Sequence, residues 1–214
     1  MAYVDDSGLL WAEPGDRLRV EHKLRAHDYG PLVGGRPEWL IWHLTGNRIP
    51  EGCAASSCDG TDGMAGRVAS GSAKYYAHAY LGRDGTLVQV VPFIHAAIHV
   101  AGSFQGKVVN RTSNGIEVTN WAYAHADDGD APGFKIDPDR PDALPLGRLT
   151  WQMLSIAQNT AIPEIAEAWM KWTGRPVEDC IRGHHDVDTD SSHVDPGPIL
   201  RPYLDGPVRA HLER

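Results

Sequence analysis

Eleven of the 214 residues are histidine, and three of them, His184, His185 and His193, fall within one stretch of ten residues. Imidazole carries protons near neutral pH and is the commonest metal ligand. The stretch Gly183-His184-His185-Asp186 through His193-Val194-Asp195-Pro196-Gly197-Pro198 is the densest polar constellation in the chain. Its prolines fix φ, so a donor in that turn is held without a helix motif. Catalytic zinc takes three protein ligands, often histidines with a carboxylate, and leaves a fourth position for water. Two donors can come from residues 183–198; the third has to come from elsewhere. His43 is the favoured candidate, because an imidazole at the end of a buried apolar strand is costly without a partner. A satisfied core histidine at 43 and a solvated loop at 183–198 are the competing readings, and spacing alone does not separate them.

These residues need elements to position them. Trp39-Leu40-Ile41-Trp42-His43-Leu44 is a short apolar run bounded by turn formers, which predicts a fully buried strand. Residues 177–182 are predicted as a second buried strand leading into His184. Residues 77–81 and 86–91 flank Arg83-Asp84-Gly85 and predict a hairpin, since Asp-Gly supplies positive φ. Residues 96–101 and 115–119 are expected as further short strands. Asp62 is placed to cap a short helix running towards Tyr76. From Leu149 to Trp172 the apolar residues recur at helical spacing, with Pro163 expected to kink or split the helix and Gly174 to stop it. Residues 121–147, rich in Asp, Pro and Gly, are expected as a surface loop. Strands and helices intermix, so the predicted fold is α/β, one domain with a central mixed β-sheet flanked by helices. Residues 1–36 are assigned to an N-terminal arm packed on that domain and residues 37–214 to the domain itself.

Composition removes several classes. The length suits one domain with a core that needs no disulfide staples. With 20 Lys+Arg against 28 Asp+Glu the net charge is −8, which argues against binding a phosphate backbone. The richest apolar stretch, Leu87 to Gly102, is broken by Gln89, Pro92, His95 and His99, short of the roughly 20 apolar residues a bilayer needs. The N-terminus opens with acids rather than a signal sequence, so cytoplasmic synthesis is expected. Cys53, Cys58 and Cys180 carry no C-x-x-C zinc signature; Cys53 and Cys58 are either a small bridge or two free thiols. No G-x-S-x-G or H-E-x-x-H occurs, and Gly102 to Lys107 falls short of a phosphate loop.

Five segments, in order, resemble the zinc-dependent N-acetylmuramoyl-L-alanine amidase family, which includes phage amidases, cell-wall recycling amidases and animal peptidoglycan recognition proteins. They are Ile41-Trp42-His43-Leu44-Thr45; Ala77-His78-Ala79-Tyr80-Leu81-Gly82-Arg83-Asp84-Gly85-Thr86; Ile98-His99-Val100-Ala101-Gly102; Asn114-Gly115-Ile116-Glu117-Val118; and Gly183-His184-His185-Asp186 with Asp195-Pro196-Gly197-Pro198. Together they span roughly residues 39–200. No single segment is specific, but the ordered set is.

The resemblance implies a zinc cofactor held by His43, His184 and Asp195. His185 occupies the family's variable position, or is the ligand by a one-residue shift. Asp186 is implied to orient a ligand from behind. Glu117 is implied as the base that takes the proton of a water attacking the amide between N-acetylmuramic acid and L-alanine. His193 stands where the family places a lysine, so a protonated imidazole would assist the oxyanion or leaving amine, and activity is expected to fall at alkaline pH. His78, Tyr80 and His99 are implied to line the groove, and Trp121 and Tyr123 to stack on a sugar. Peptidoglycan or a muropeptide is the implied partner, with no nucleic acid and no membrane insertion. The favoured role is an endolysin acting on the wall after release. The alternatives are a non-catalytic peptidoglycan-binding module, a cytoplasmic recycling amidase and, disfavoured by the charge, a metal-dependent nuclease.

Overall fold

A computed structural model describes residues 1–13, 15–16, 18–25, 30–44, 61–120, 122–124, 143–146, 149–188 and 196–214. The chain starts with a ribbon of β1 (Tyr3–Val4) and β2 (Leu10–Trp11), followed by β3 (Arg19–His22) and β4 (Trp39–Leu44). Helix α1 (Thr61–Ala69) precedes the hairpin β5 (Ala79–Leu81) and β6 (Thr86–Gln89). A small ribbon, β7 (Ser103–Phe104) with β8 (Lys107–Val108), leads to β9 (Ser113–Val118). Strands β10 (Ala122–Ala124), β11 (Ala143–Leu146) and β12 (Leu149–Gln152) form a separate antiparallel sheet. Helix α2 (Ile156–Thr173), the single turn α3 (Val177–Cys180) and β13 (Arg182–Gly183) follow. The C-terminal end is α4 (Gly197–Tyr203), a wider turn over Leu204–Val208, and α5 (Arg209–Leu212).

Six strands form the central sheet in the order β13-β4-β9-β5-β6-β3. Only β5–β6 is antiparallel; every other pairing is parallel, so the sheet is mixed. Strand β4 is apolar on both faces because both are covered. Leu40 and Trp42 join Ile116, Val118, Ala79 and Leu81 against α2, while Trp39 and Ile41 pack on Val100 and Val109 across the other face. The N-terminal segment supplies the edge strand β3 and two fully buried leucines, Leu10 and Leu18. Gln89 ties it down: its side-chain oxygen accepts from Leu10 N–H at 2.8 Å, and its amide donates to Gly8 C=O at 2.9 Å.

Several expectations about elements change. The helical pattern from 149 divides: Leu149–Gln152 is β12, and the helix starts after Ser155, whose hydroxyl caps Gln158 N–H in a capping box. Pro163 sits inside one continuous α2. Its missing N–H would deprive the Asn159 carbonyl of its helical partner, and the Tyr203 hydroxyl donates to that carbonyl instead. Residues 177–182 are mostly the turn α3, started by Pro176, with only Arg182 in a strand. Residues 96–101 join no sheet, and residues 121–147 contain β10 and β11 rather than loop alone. Among the described residues no helix is long and apolar enough to cross a membrane.

Candidate active site

Register across the parallel strands lines the polar residues up. The β4–β9 pairing sets His43 beside Glu117, and the β5–β9 pairing sets Tyr80 on Glu117's other side. Directly paired residues point to one face, with strands about 4.8 Å apart. On β13, Gly183 pairs with Trp42, so the chain delivers His184 next to His43. The row lies towards the carboxyl ends of parallel strands, where open α/β sheets bind ligands.

His43 and His184 are nearly buried, 2% and 7% exposed, and their Nδ1 atoms stand 3.1 Å apart. The surrounding hydrogen bonds decide which nitrogens carry protons. The Ser113 hydroxyl donates to Val109 C=O at 2.7 Å, so its one proton is committed. His99 Nε2, 3.2 Å from that oxygen, is therefore the donor between them. Burial holds His99 well below the usual imidazole pKa, with the neighbouring histidines adding to the effect, so it is neutral and its Nδ1 is a lone pair. His43 Nε2–H donates to it at 3.0 Å. His184 Nε2–H donates to Asp188 Oδ2 at 3.3 Å. The two Nδ1 atoms face each other across the end of the sheet. A tetrahedral ion with metal–nitrogen bonds of about 2.05 Å spans two ligand nitrogens about 3.3 Å apart, and the observed separation fits that edge.

The carboxylate behind His184 is Asp188, 7% exposed, rather than Asp186, which the resemblance implied. Asp186 accepts Gly183 N–H at 2.7 Å and pairs with the Arg201 guanidinium, so it fastens the turn that carries His184. His185 is exposed. Asp188 was missed because its signal is only a four-residue offset from His184 in an irregular turn.

Two residues implied to line the groove are buried. His78 is fully buried: its Nδ1 accepts Gly115 N–H at 3.0 Å and its Nε2–H donates to His95 C=O at 2.9 Å. Burial pushes its pKa down to about 4, so it is a neutral crosslink between β9 and residue 95. Tyr80 is also buried, and its oxygen accepts Ala77 N–H at 3.3 Å. Burial first, then the charge of Glu117, keeps its phenol protonated far into the alkaline range. His99 is half-buried and lies over Gly115, where a Cβ would meet its Nδ1 at 2.4 Å. Gly183 is equally tight, since a Cβ there would stand 2.2 Å from Pro196 Cδ.

Asp195, His193, Cys53, Cys58 and Trp121 lie outside the described residues, as does the side chain of Tyr123. Among the described residues no group of three metal-type side chains converges; two of the three expected donors are in place.

Paired imidazoles and a carboxylate thus stand in one row at the end of a mixed sheet. The family profile of N-acetylmuramoyl-L-alanine amidases matches residues 33–198, and the chain belongs to that family. Among solved structures it is similar to a selenomethionine derivative of AmpD, with 21% identity over 93% of this chain and 97% of that one and a TM-score of 0.57. It is similar to PlyL at 14% identity, covering 91% and 96%, with a TM-score of 0.55. A mutant endolysin from Bacillus subtilis aligns at 15% identity over 91% and 99%, with a TM-score of 0.52. At these identities the likeness shows the fold. No curated protein matches the chain by sequence.

Proposed function

We propose that the protein hydrolyses the amide between N-acetylmuramic acid and L-alanine in peptidoglycan, acting on the intact wall as an endolysin. The observation that carries this reading is the facing pair of Nδ1 atoms on His43 and His184, 3.1 Å apart, with Glu117 in register beside His43. His43, His184 and Asp195 would hold zinc. Chain connectivity supports the third: Asp195 directly precedes Pro196, whose ring seats on the residue before His184.

Bound zinc would supply a Lewis acid and make hydroxide available near neutral pH. Glu117 takes the proton of the attacking water and passes it to the leaving amine. A C–O bond forms at the lactyl carbonyl and the C–N bond breaks, leaving a carboxylate and the free amino terminus of L-alanine. His193, as imidazolium, would donate to the oxyanion in place of the family's lysine. Tyr80 and His78 keep the Glu117 strand and its neighbours in register.

The test uses purified sacculi and, separately, a soluble muropeptide, each with chelator and with zinc restored. Mass spectrometry should show new L-alanine amino termini from sacculi that vanish on chelation and return with zinc. Glu117→Gln should lower kcat by about 10²- to 10⁴-fold while zinc binding persists. Release from the soluble muropeptide alone would replace the endolysin with a recycling amidase. Binding to the wall without release would replace it with a recognition module.

A further inference from the structure

His99 is buried in hydrogen bonds to protein at both ring nitrogens, an arrangement that costs a groove residue its freedom to meet substrate. Its Nε2–H is spent on Ser113 and its Nδ1 on His43. The Ser113 hydroxyl is in turn spent on Val109 C=O. Each link fixes the next, so a backbone carbonyl that cannot change its role dictates the proton position on His43, three hydrogen bonds away. Gly115 makes this possible, since any side chain there would occupy the place of the His99 ring.

We propose that His99, locked by Ser113, is a positioning residue that commits His43 to the tautomer and ring orientation presenting Nδ1 to the metal. The inference rests on the metal reading of the site and assigns to His99 a role other than contact with the sugar or peptide. The two ligand histidines are then held by partners of opposite character. His184 leans on the carboxylate of Asp188, whereas His43 leans on the imidazole of His99. Metal ligands whose outer nitrogen loses its partner typically bind about 10- to 100-fold more weakly.

The experiment measures zinc affinity by competition with a chelator, thermal stability, and the nitrogen NMR shifts of His43 in the metal-free protein. In the unmodified metal-free protein the shifts should report His43 protonated at Nε2 alone. His99→Phe keeps a planar ring but offers no acceptor, and should weaken zinc about 10- to 100-fold while the protein stays folded. His99→Asn places an amide oxygen near the Nδ1 position and should recover most of that loss. Ser113→Ala frees the tautomer of His99 and should mix the two protonation patterns at His43. The proposal is overturned if the folded His99→Phe protein binds zinc like the unmodified one, if His99→Asn rescues nothing, or if His43 carries its proton at Nδ1. Should the unmodified protein bind no zinc, the metal reading fails instead, and the His43 shifts still judge this relay by themselves.

Discussion

Replacing Gly115 with alanine probes the site from its least reactive atom. A Cβ there would stand 2.4 Å from His99 Nδ1, 2.6 Å from Cγ and 2.9 Å from Cε1, where ordinary contact begins at 3.4 Å. The ring must retreat by about 1 Å, and the 3.0 Å bond from His43 to His99 then stretches beyond what counts as a hydrogen bond. Removing a strand glycine is by itself favourable by about 0.5–1 kcal/mol. Overpacking a tight site costs about 1–3 kcal/mol, so the clash wins. The net loss corresponds to a Tm lower by roughly 1–8 °C for a domain of this size. Zinc affinity should fall about 10- to 100-fold together with it. Gly66, exposed on α1 with nothing within 4 Å of an added Cβ, provides the control: Gly66→Ala should raise Tm slightly and leave zinc alone. Calorimetry and chelator competition on both variants decide the matter. Gly115→Ala with unchanged Tm and unchanged zinc affinity would refute the packing argument and the relay it protects.

Other outcomes follow from the same contacts. His78 ionises near 6.5 when unfolded and only near 4 when folded, so the unfolded chain binds the extra proton first. Stability of the metal-free protein should therefore be full above pH 6.5 and fall by about 3 kcal/mol towards pH 4. Urea titrations of His78→Gln should lose about 1.4 kcal/mol per pH unit of that slope; an unchanged slope refutes the assignment. Tyr203→Phe strips the Asn159 carbonyl of its donor and should cost about 0.5–1.5 kcal/mol. In a Pro163→Ala background, where the helix supplies its own N–H, the same change should cost measurably less in a double-mutant cycle. Asp188→Asn keeps an acceptor for His184 without the charge and should weaken zinc about 10-fold, with Asp188→Ala worse; equal affinities would show that Asp188 does not hold the ligand.

What could be read from the sequence was whatever leaves a local pattern. Strand β4 is legible because both of its faces are covered, which makes an unbroken apolar run ending in His43. The β5–β6 hairpin is legible because Gly85 takes φ +83° in the turn. Residues 177–182 misled because Val177, Cys180 and Ile181 are apolar enough for a strand, while Pro176 and two acids start a helical turn. That α2 runs unsplit through Pro163 was not legible, because the donor to the Asn159 carbonyl comes from Tyr203, 44 positions beyond it. At the site, His43, His184 and Glu117 carry motifs of their own. The choice between His184 and His185 does not, since neighbouring residues of one type differ only in which of them the turn buries. Asp188 and the roles of His78 and His99 depend on contacts between distant segments and leave no periodicity at all.

The absent strand at 96–101 is what makes the relay possible. In a sheet, each backbone N–H of that segment would meet a neighbouring strand, and His99 would stand beside β9 in register rather than across it. Instead, individual groups hold the segment. Tyr76 N–H donates to Ile98 C=O at 2.8 Å, and His78 Nε2–H donates to His95 C=O at 2.9 Å. The Asn110 side-chain oxygen accepts both His99 N–H and Val100 N–H, at 2.9 and 2.8 Å. With its backbone satisfied this way, the segment can lay the His99 ring flat over Gly115, between Ser113 and His43. His78 and His99 are both kept neutral by burial, so they add no positive charge next to the paired nitrogens. Asp188 stands behind His184 and Glu117 lies in register beside His43, so a cation held at the paired nitrogens would meet no neighbouring imidazolium from His78 or His99, and the irregular segment, not the sheet, is what secures that.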